Sequence, residues 1–68
     1  MKKYNAYNIY TRDCIQIIEA ENPLDAFLKI DVNDPQELGA IWIECNGQHF
    51  GITREGETYE IKTYEINK

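Results

Sequence analysis

The stretch from Trp42 to Ile66, WIECNGQHFGITREGETYEIKTYEI, decides the fold, because two glycine turns divide it into short segments that alternate apolar and polar residues. Asn46-Gly47 is typical of a two-residue hairpin turn, in which both residues need a positive φ. Such a turn places Ile43 opposite Phe50. The sequence therefore predicts two antiparallel strands that meet at Asn46-Gly47.

A second turn at Glu55-Gly56, again of two residues, adds a third strand and places Phe50 opposite Ile61. The two predicted registers agree, because both put the same apolar residues on one face of the sheet. These residues are Ile41, Ile43, Phe50, Ile52, Tyr59 and Ile61. The opposite face then collects Trp42, Glu44, His49 and Lys62.

Residues 4–21, YNAYNIYTRDCIQIIEAE, predict a further hairpin, since they are rich in Tyr and Ile and have a polar break at Thr11–Asp13. A loop of those three residues places Tyr7 opposite Ile17, with a β-bulge expected near Ile17. The face away from Tyr7 then holds Tyr4, Ala6, Tyr10, Cys14, Ile18 and Ala20.

The stretch NPLDAFLKI, which begins at Asn22, predicts a short helix, because Asn is a good N-cap and the following Pro suits the first helical position. Ala26, Phe27 and Ile30 fall on one side at helical spacing, so this side should pack on a sheet. Farther on, the residues from Asp34 to Gly39 again place a cap, a Pro and an acid in order, which predicts one more helical turn.

The predicted fold is α+β: an antiparallel sheet of about five strands, in the order ββαβββ, with one short helix packed on one face. All 68 residues form one small domain. The motif TYEIN at Thr63–Asn67 nearly repeats TYEIK at Thr58–Lys62, but a shift of five residues turns its Tyr and Ile to the other face. If this overhang pairs with the first strand, the strand order is 2-1-5-4-3, which we favour; the alternative is 2-1-3-4-5.

The net charge of −5 and the pI near 4.6 argue against binding to nucleic-acid phosphates or to an anionic membrane, because both need clustered Lys and Arg. No Lys or Arg lies between Lys29 and Arg54, whereas four acids do. These acids are Asp31, Asp34, Glu37 and Glu44. The stretch should therefore carry a local negative field that suits a basic partner.

Cys14 and Cys45 are predicted to be free thiols, because a small disulfide-stapled secreted domain usually carries four or more cysteines. The start of the chain has no apolar signal-peptide run, and no stretch reaches the length of a membrane helix, so we expect a cytoplasmic protein. We expect no metal or other cofactor, since Cys45 and His49 fall on opposite sides of their hairpin. The chain contains no serine, and no catalytic residue is predicted.

Trp42 is the leading candidate for a contact residue, because it is predicted to lie on the face away from the helix and on a strand at the sheet edge. An edge strand also offers unpaired backbone groups to a partner strand. The predicted protein-binding residues are Trp42, Glu44, Asp34, Glu37, His49 and Tyr64.

These features predict a small acidic, non-enzymatic protein-binding module that occupies a basic surface of a partner protein. The chain resembles in kind the inhibitor and accessory proteins of phages and mobile elements, including anti-defence proteins such as anti-CRISPRs. Asn, Ile, Lys and Tyr, which have AT-rich codons, make up 26 of the 68 residues and fit that origin. The alternatives are a nucleic-acid-binding or regulatory module that uses the aromatic open face of the sheet, and a homodimeric structural protein joined through an edge strand.

Overall fold

Five strands, one short α-helix and one 3₁₀ helix make up residues 1–32 and 34–62, which are the part of the chain that the computed structural model describes. In chain order the elements are β1 (Lys2–Asn8), β2 (Cys14–Ala20), α1 (Pro23–Leu28), the 3₁₀ helix (Pro35–Ala40), β3 (Ile41–Cys45), β4 (Gln48–Ile52) and β5 (Thr58–Ile61). The strands form one antiparallel sheet with α1 on one face, which confirms the predicted α+β fold and its ββαβββ order.

The strand order is β2-β1-β3-β4-β5, so the favoured order 2-1-5-4-3 is wrong and its alternative is the one observed. β1 pairs with β3, with Ala6 opposite Ile43 and Tyr7 opposite Trp42. The physical reason is visible in β3, where the consecutive residues Ile41–Ile43 are all buried. Such a run is buried on both faces and suits a central strand. The expected pairing of Thr63–Asn67 lies outside the described residues.

The hairpin at Asn46-Gly47 has the predicted geometry, with φ of 52° at Asn46 and 86° at Gly47. Two positive φ values define the turn that matches the twist of paired strands. Ile43 lies opposite Phe50 and Glu44 lies opposite His49, as predicted.

The hairpin between β4 and β5 has a three-residue loop, so the predicted two-residue turn is wrong. The Gly56 N–H donates to the Thr53 carbonyl at 3.0 Å, and the Thr53 N–H donates to the Glu57 carbonyl at 2.8 Å. Gly56, with a φ of 86°, is the left-handed residue that ends this loop. A turn followed by such a residue is the common form of a three-residue hairpin loop. Gly51 consequently lies opposite Tyr59.

This extra loop residue changes which face of the sheet the side chains of β5 occupy. Ile61 lies opposite His49 and Glu60 lies opposite Phe50. Because side chains alternate along a strand, a slip of one residue exchanges the two faces. Tyr59 and Ile61 therefore share the face of Trp42, whereas they were predicted on the face of Phe50.

The register between β1 and β2 also differs from the prediction. Ile17 lies opposite Asn5, and Tyr7 lies opposite Cys14. The connection spans residues 9–13, and Asn8 organises it. The Asn8 side-chain oxygen accepts from the backbone N–H groups of Tyr10 and Thr11, at 2.8 and 3.0 Å. The register shift lies beside Tyr7, not at Ile17, and it moves Cys14 to the side of Tyr7.

The face that packs against α1, called here the helix face, holds the core. Asn22 caps α1, since its side-chain oxygen accepts from the Asp25 N–H at 2.8 Å, as the sequence predicts. The helix packs against β2, β3 and β4. The buried core residues are Tyr4, Ala6, Ile18, Ala20, Ala26, Phe27, Ile30, Ile41, Ile43 and Cys45, with Val32, Leu38, Phe50 and Ile52 partly buried against them.

Candidate functional site

The face opposite α1, called here the second face, carries two rows of side chains that cross all five strands. The strand registers define both rows. The aromatic row consists of Cys14, Tyr7, Trp42, Gly51 and Tyr59. The polar row consists of Ile17, Asn5, Glu44, His49 and Ile61. Three of the six predicted contact residues therefore come together on this face.

Trp42 lies on the second face, as predicted, but its strand is central in the sheet. The expectation that this strand offers an edge to a partner is therefore wrong. The indole stacks on the Tyr7 ring, with ring centroids 5.0 Å apart and planes 18° from parallel. Only 8% of Trp42 is exposed, and among the described residues its Nε1 atom is buried without a hydrogen-bond partner. Most of its surface is thus already used within the chain.

Gly51 leaves a gap in the aromatic row that the Tyr59 ring fills. A Cβ atom built on Gly51 would lie 2.6 Å from both Cζ and Oη of Tyr59. Aromatic residues often cover a glycine on the neighbouring strand in this way. The register of β5 places Tyr59 opposite Gly51 and so gives Tyr59 this covering role.

Glu44 joins three parts of the fold. Its Oε1 accepts from the Asn5 side-chain amide on β1 at 2.8 Å, and its Oε2 accepts from the Gly47 N–H in the turn at 2.9 Å. The pKa of Glu44 lies below its ordinary value because these bonds favour the ionised form. The bond from Gly47 lowers it most, and the bond from Asn5 comes next. Partial burial opposes this shift, and His49 adds to it. Both carboxylate oxygens are therefore engaged inside the chain.

His49 is half-buried opposite Glu44, at the centre of the polar row. Its Nδ1 atom is buried and has no hydrogen-bond partner among residues 1–32 and 34–62. Within those residues no three His, Cys, Asp or Glu side chains are grouped so that they could hold a metal ion. Cys45 lies on the helix face, so it does not meet His49.

Asp34 and Glu37 lie on the 3₁₀ helix, away from the second face. Asp34 caps this helix, since its Oδ1 accepts from the Gln36 N–H at 3.0 Å. Both acids are exposed. The remaining predicted contact residue, Tyr64, lies outside the described residues. The predicted site is thus divided between the second face and the 3₁₀ helix.

Sequence reasoning did not predict an open groove of about 830 Å³ on the side of the molecule that carries the 3₁₀ helix. The end of α1, the 3₁₀ helix, the end of β4 and the following turn form its walls. The lining residues are Leu28, Gln36, Leu38, Gly39, Ile52, Thr53, Arg54 and Gly56. The available signal was Leu28, a large apolar residue that the helical spacing of Ala26, Phe27 and Ile30 leaves off the core-facing side of the helix.

Searches with this chain found no matching protein family, no matching curated protein and no matching solved structure. Among the described residues, neither helix has the length and apolar character needed to cross a membrane. Both cysteines are free, which confirms that prediction, with Cys14 exposed and Cys45 buried.

Proposed function

We propose that this chain is a non-enzymatic protein-binding module that occupies a basic surface of a partner protein. The observation that carries the proposal is the exposed acidic segment around the 3₁₀ helix, which contains Asp31, Asp34 and Glu37. No Lys or Arg lies between Lys29 and Arg54 to offset these charges in sequence. Such a field attracts a positively charged partner and raises its rate of association.

Trp42 and Glu44 have a different role in this proposal from the one expected from sequence. Trp42 is stacked on Tyr7 and nearly buried, and Glu44 has both oxygens bonded within the chain. They hold the sheet together, while Asp34 and Glu37 meet the partner. The size and acidity of the chain fit an inhibitor or accessory protein of a phage or mobile element.

Neutralising the acidic segment tests the proposal. Asp34→Asn keeps a good cap on the 3₁₀ helix, and with Glu37→Gln it removes two negative charges. The matched control, Glu21→Gln with Glu60→Gln, removes the same charge from two exposed positions elsewhere. A partner captured from lysate and identified is then titrated by calorimetry with each variant, at low and at high salt.

We expect the Asp34/Glu37 variant to bind about threefold to tenfold more weakly at low salt, as exposed charges contribute about 0.3–0.7 kcal/mol each. High salt should reduce that difference, because screening weakens exposed charge pairs. The control variant should bind almost as the natural chain does. Equal loss in both variants, or no salt dependence, would remove the basis of the proposal.

Self-association through the second face is a second candidate, and exposed apolar side chains on that face favour it. Ile17 is 64% exposed on β2, and Tyr59 is 50% exposed on β5. β2 is also an outer strand of the described sheet. Apolar patches of this kind mark contacts between chains. Sedimentation at micromolar concentration would show a dimer that Ile17→Lys dissociates; a monomer throughout excludes it.

A further inference from the structure

The groove beside the 3₁₀ helix has an apolar floor. Leu38 and Ile52 are half-buried and pack against the core, so their inner sides fix the floor in place. Leu28, at the end of α1, is 70% exposed although it is a large apolar residue. Burying such a side chain against a partner removes apolar surface from water and so favours binding.

Acidic residues alternate with the groove-lining residues on both walls. Glu37 stands between the lining residues Gln36 and Leu38, and Glu55 and Glu57 flank the lining residue Gly56. These three acids are exposed. The two walls belong to different elements, and on each of them exposed acids are next in sequence to lining residues.

We propose that this groove receives an apolar side chain from a segment of the partner protein in which Lys or Arg residues flank a Leu, Ile or Met. The apolar floor supplies the contact area, and the acids on the two walls supply the charge complementarity. This inference rests on the proposed function, and it names the kind of partner segment that the same side of the molecule binds.

Among the described residues, Arg54 is the one basic residue that lines the groove. Among the exposed residues within two positions of a lining residue, the acids Asp34, Glu37, Glu55 and Glu57 outnumber the bases Lys29 and Arg54. A single guanidinium could instead favour a ligand with one carboxylate. A peptide with acidic flanks separates these two possibilities.

The experiment uses three dye-labelled peptides, each acetylated and amidated, and fluorescence anisotropy with the full chain. The first peptide has two central leucines with three lysines on each side. The second replaces the leucines with serines, and the third replaces the lysines with glutamates. We expect the first peptide to bind at least about threefold more tightly than the second, since burial of leucine adds to the charge attraction. The third should show the weakest binding.

The variant Leu28→Ser tests the groove itself, because Leu28 is exposed and its replacement should leave folding intact. The matched control is Leu24→Ser, which changes the same residue type on the same helix at a position that does not line the groove. Leu28→Ser should raise the Kd of the leucine peptide about threefold to tenfold, and Leu24→Ser should leave it within about 1.5-fold. Circular dichroism checks that both variants remain folded.

Any one of four results would overturn the groove assignment. They are equal binding of the leucine and serine peptides, an equal effect of the two leucine variants, tighter binding of the glutamate peptide, and no binding of any peptide. The proposed function has a separate failure. If both lysine peptides bind equally and the double variant Asp34→Asn with Glu37→Gln binds them more weakly, the groove assignment is wrong but the proposed role of the acidic segment is supported. If that double variant changes neither peptide binding nor binding of the captured partner, the proposed function falls as well.

Discussion

The two faces of the sheet bury their side chains by different means. The helix face is covered by α1 and the 3₁₀ helix, and its buried residues are almost all aliphatic or aromatic. On the second face, Tyr7 stacks on Trp42, Tyr59 covers Gly51, and the carboxylate of Glu44 bonds to Asn5 and to the turn.

This difference shows how the described residues of a 68-residue chain stabilise a five-stranded sheet with one short α-helix and one 3₁₀ helix. One face gains from close packing of apolar volume, which leaves few polar groups to satisfy. The other face relies on pairs across neighbouring strands, each worth a fraction of a kcal/mol to about 1 kcal/mol. Substitutions on the helix face should therefore cost more than substitutions on the second face.

The largest effect is expected from Phe27→Ala on the helix face. Phe27 has no exposed surface, and deletion of a buried Phe side chain costs about 3–5 kcal/mol. Phe50→Ala should cost less, because Phe50 is only partly buried against the core. Urea denaturation followed by circular dichroism would compare them. Equal losses would show that Phe50 contributes as much to the helix-face core as Phe27 does.

An intermediate effect is expected from Gly51→Ala on the second face. The new methyl group would collide with the Tyr59 ring, so stability should fall by about 1–2 kcal/mol. In a Tyr59→Ala background the collision is absent, and Gly51→Ala should instead stabilise by about 0.5 kcal/mol, because Ala restricts the unfolded chain. This reversal of sign in a double-mutant cycle tests the register of β5. Additive effects would place Tyr59 on the other face.

Glu44→Gln should lower the free energy of unfolding by about 1 kcal/mol at pH 7. The neutral amide has a single acceptor oxygen, so it can keep only one of the two bonds that the carboxylate accepts from Asn5 and Gly47. The pKa of Glu44 is lowered in the fold, so its contribution is present above the unfolded pKa and is lost as pH falls through the folded pKa. Urea midpoints at pH 7 and pH 3 should therefore converge for the natural chain and the variant. Glu60→Gln, whose carboxylate makes no hydrogen bond to other described residues, serves as control. A pH-independent difference would contradict the role given to the ionised carboxylate of Glu44 in its bonds to Asn5 and Gly47.

The smallest effect is expected from Trp42→Phe. Phe keeps a ring to stack on Tyr7 and removes the buried Nε1 donor, which has no partner among the described residues. The relief of an unsatisfied donor, about 1–3 kcal/mol, offsets the lost apolar area. The unfolding free energy should change by less than about 1 kcal/mol. A loss of 3 kcal/mol would show that the indole N–H is bonded in solution.

The comparison of the two hairpins explains how much of the fold could be predicted from sequence. Asn46-Gly47 admits one common turn type, so its register was predicted correctly. Glu55-Gly56 fits a two-residue turn and a three-residue loop equally well, because Gly takes a positive φ in either. The hydrogen bonds of Thr53 with Gly56 and Glu57 stabilise the longer loop, and the sequence pattern does not predict them.

The candidate site was predictable only in part, and for similar reasons. Alternation along β3 placed Trp42 on the correct face, but whether its strand is central depends on pairing between residues far apart in sequence. The groove depends on the same long-range arrangement, since Leu28 and Arg54 belong to elements that meet only in the folded chain. Local spacing does not reveal such a meeting.

The central claim is that the partner binds on the side of the 3₁₀ helix, and not on the second face. Backbone amide NMR of the isotope-labelled chain, with and without the captured partner, tests this claim directly. The largest shift changes should fall on Gln36–Gly39 and Arg54–Gly56, while Tyr7, Ile17 and Trp42 stay near their free positions. Changes concentrated on Tyr7, Ile17 and Trp42, with the 3₁₀ helix unaffected, would contradict the account.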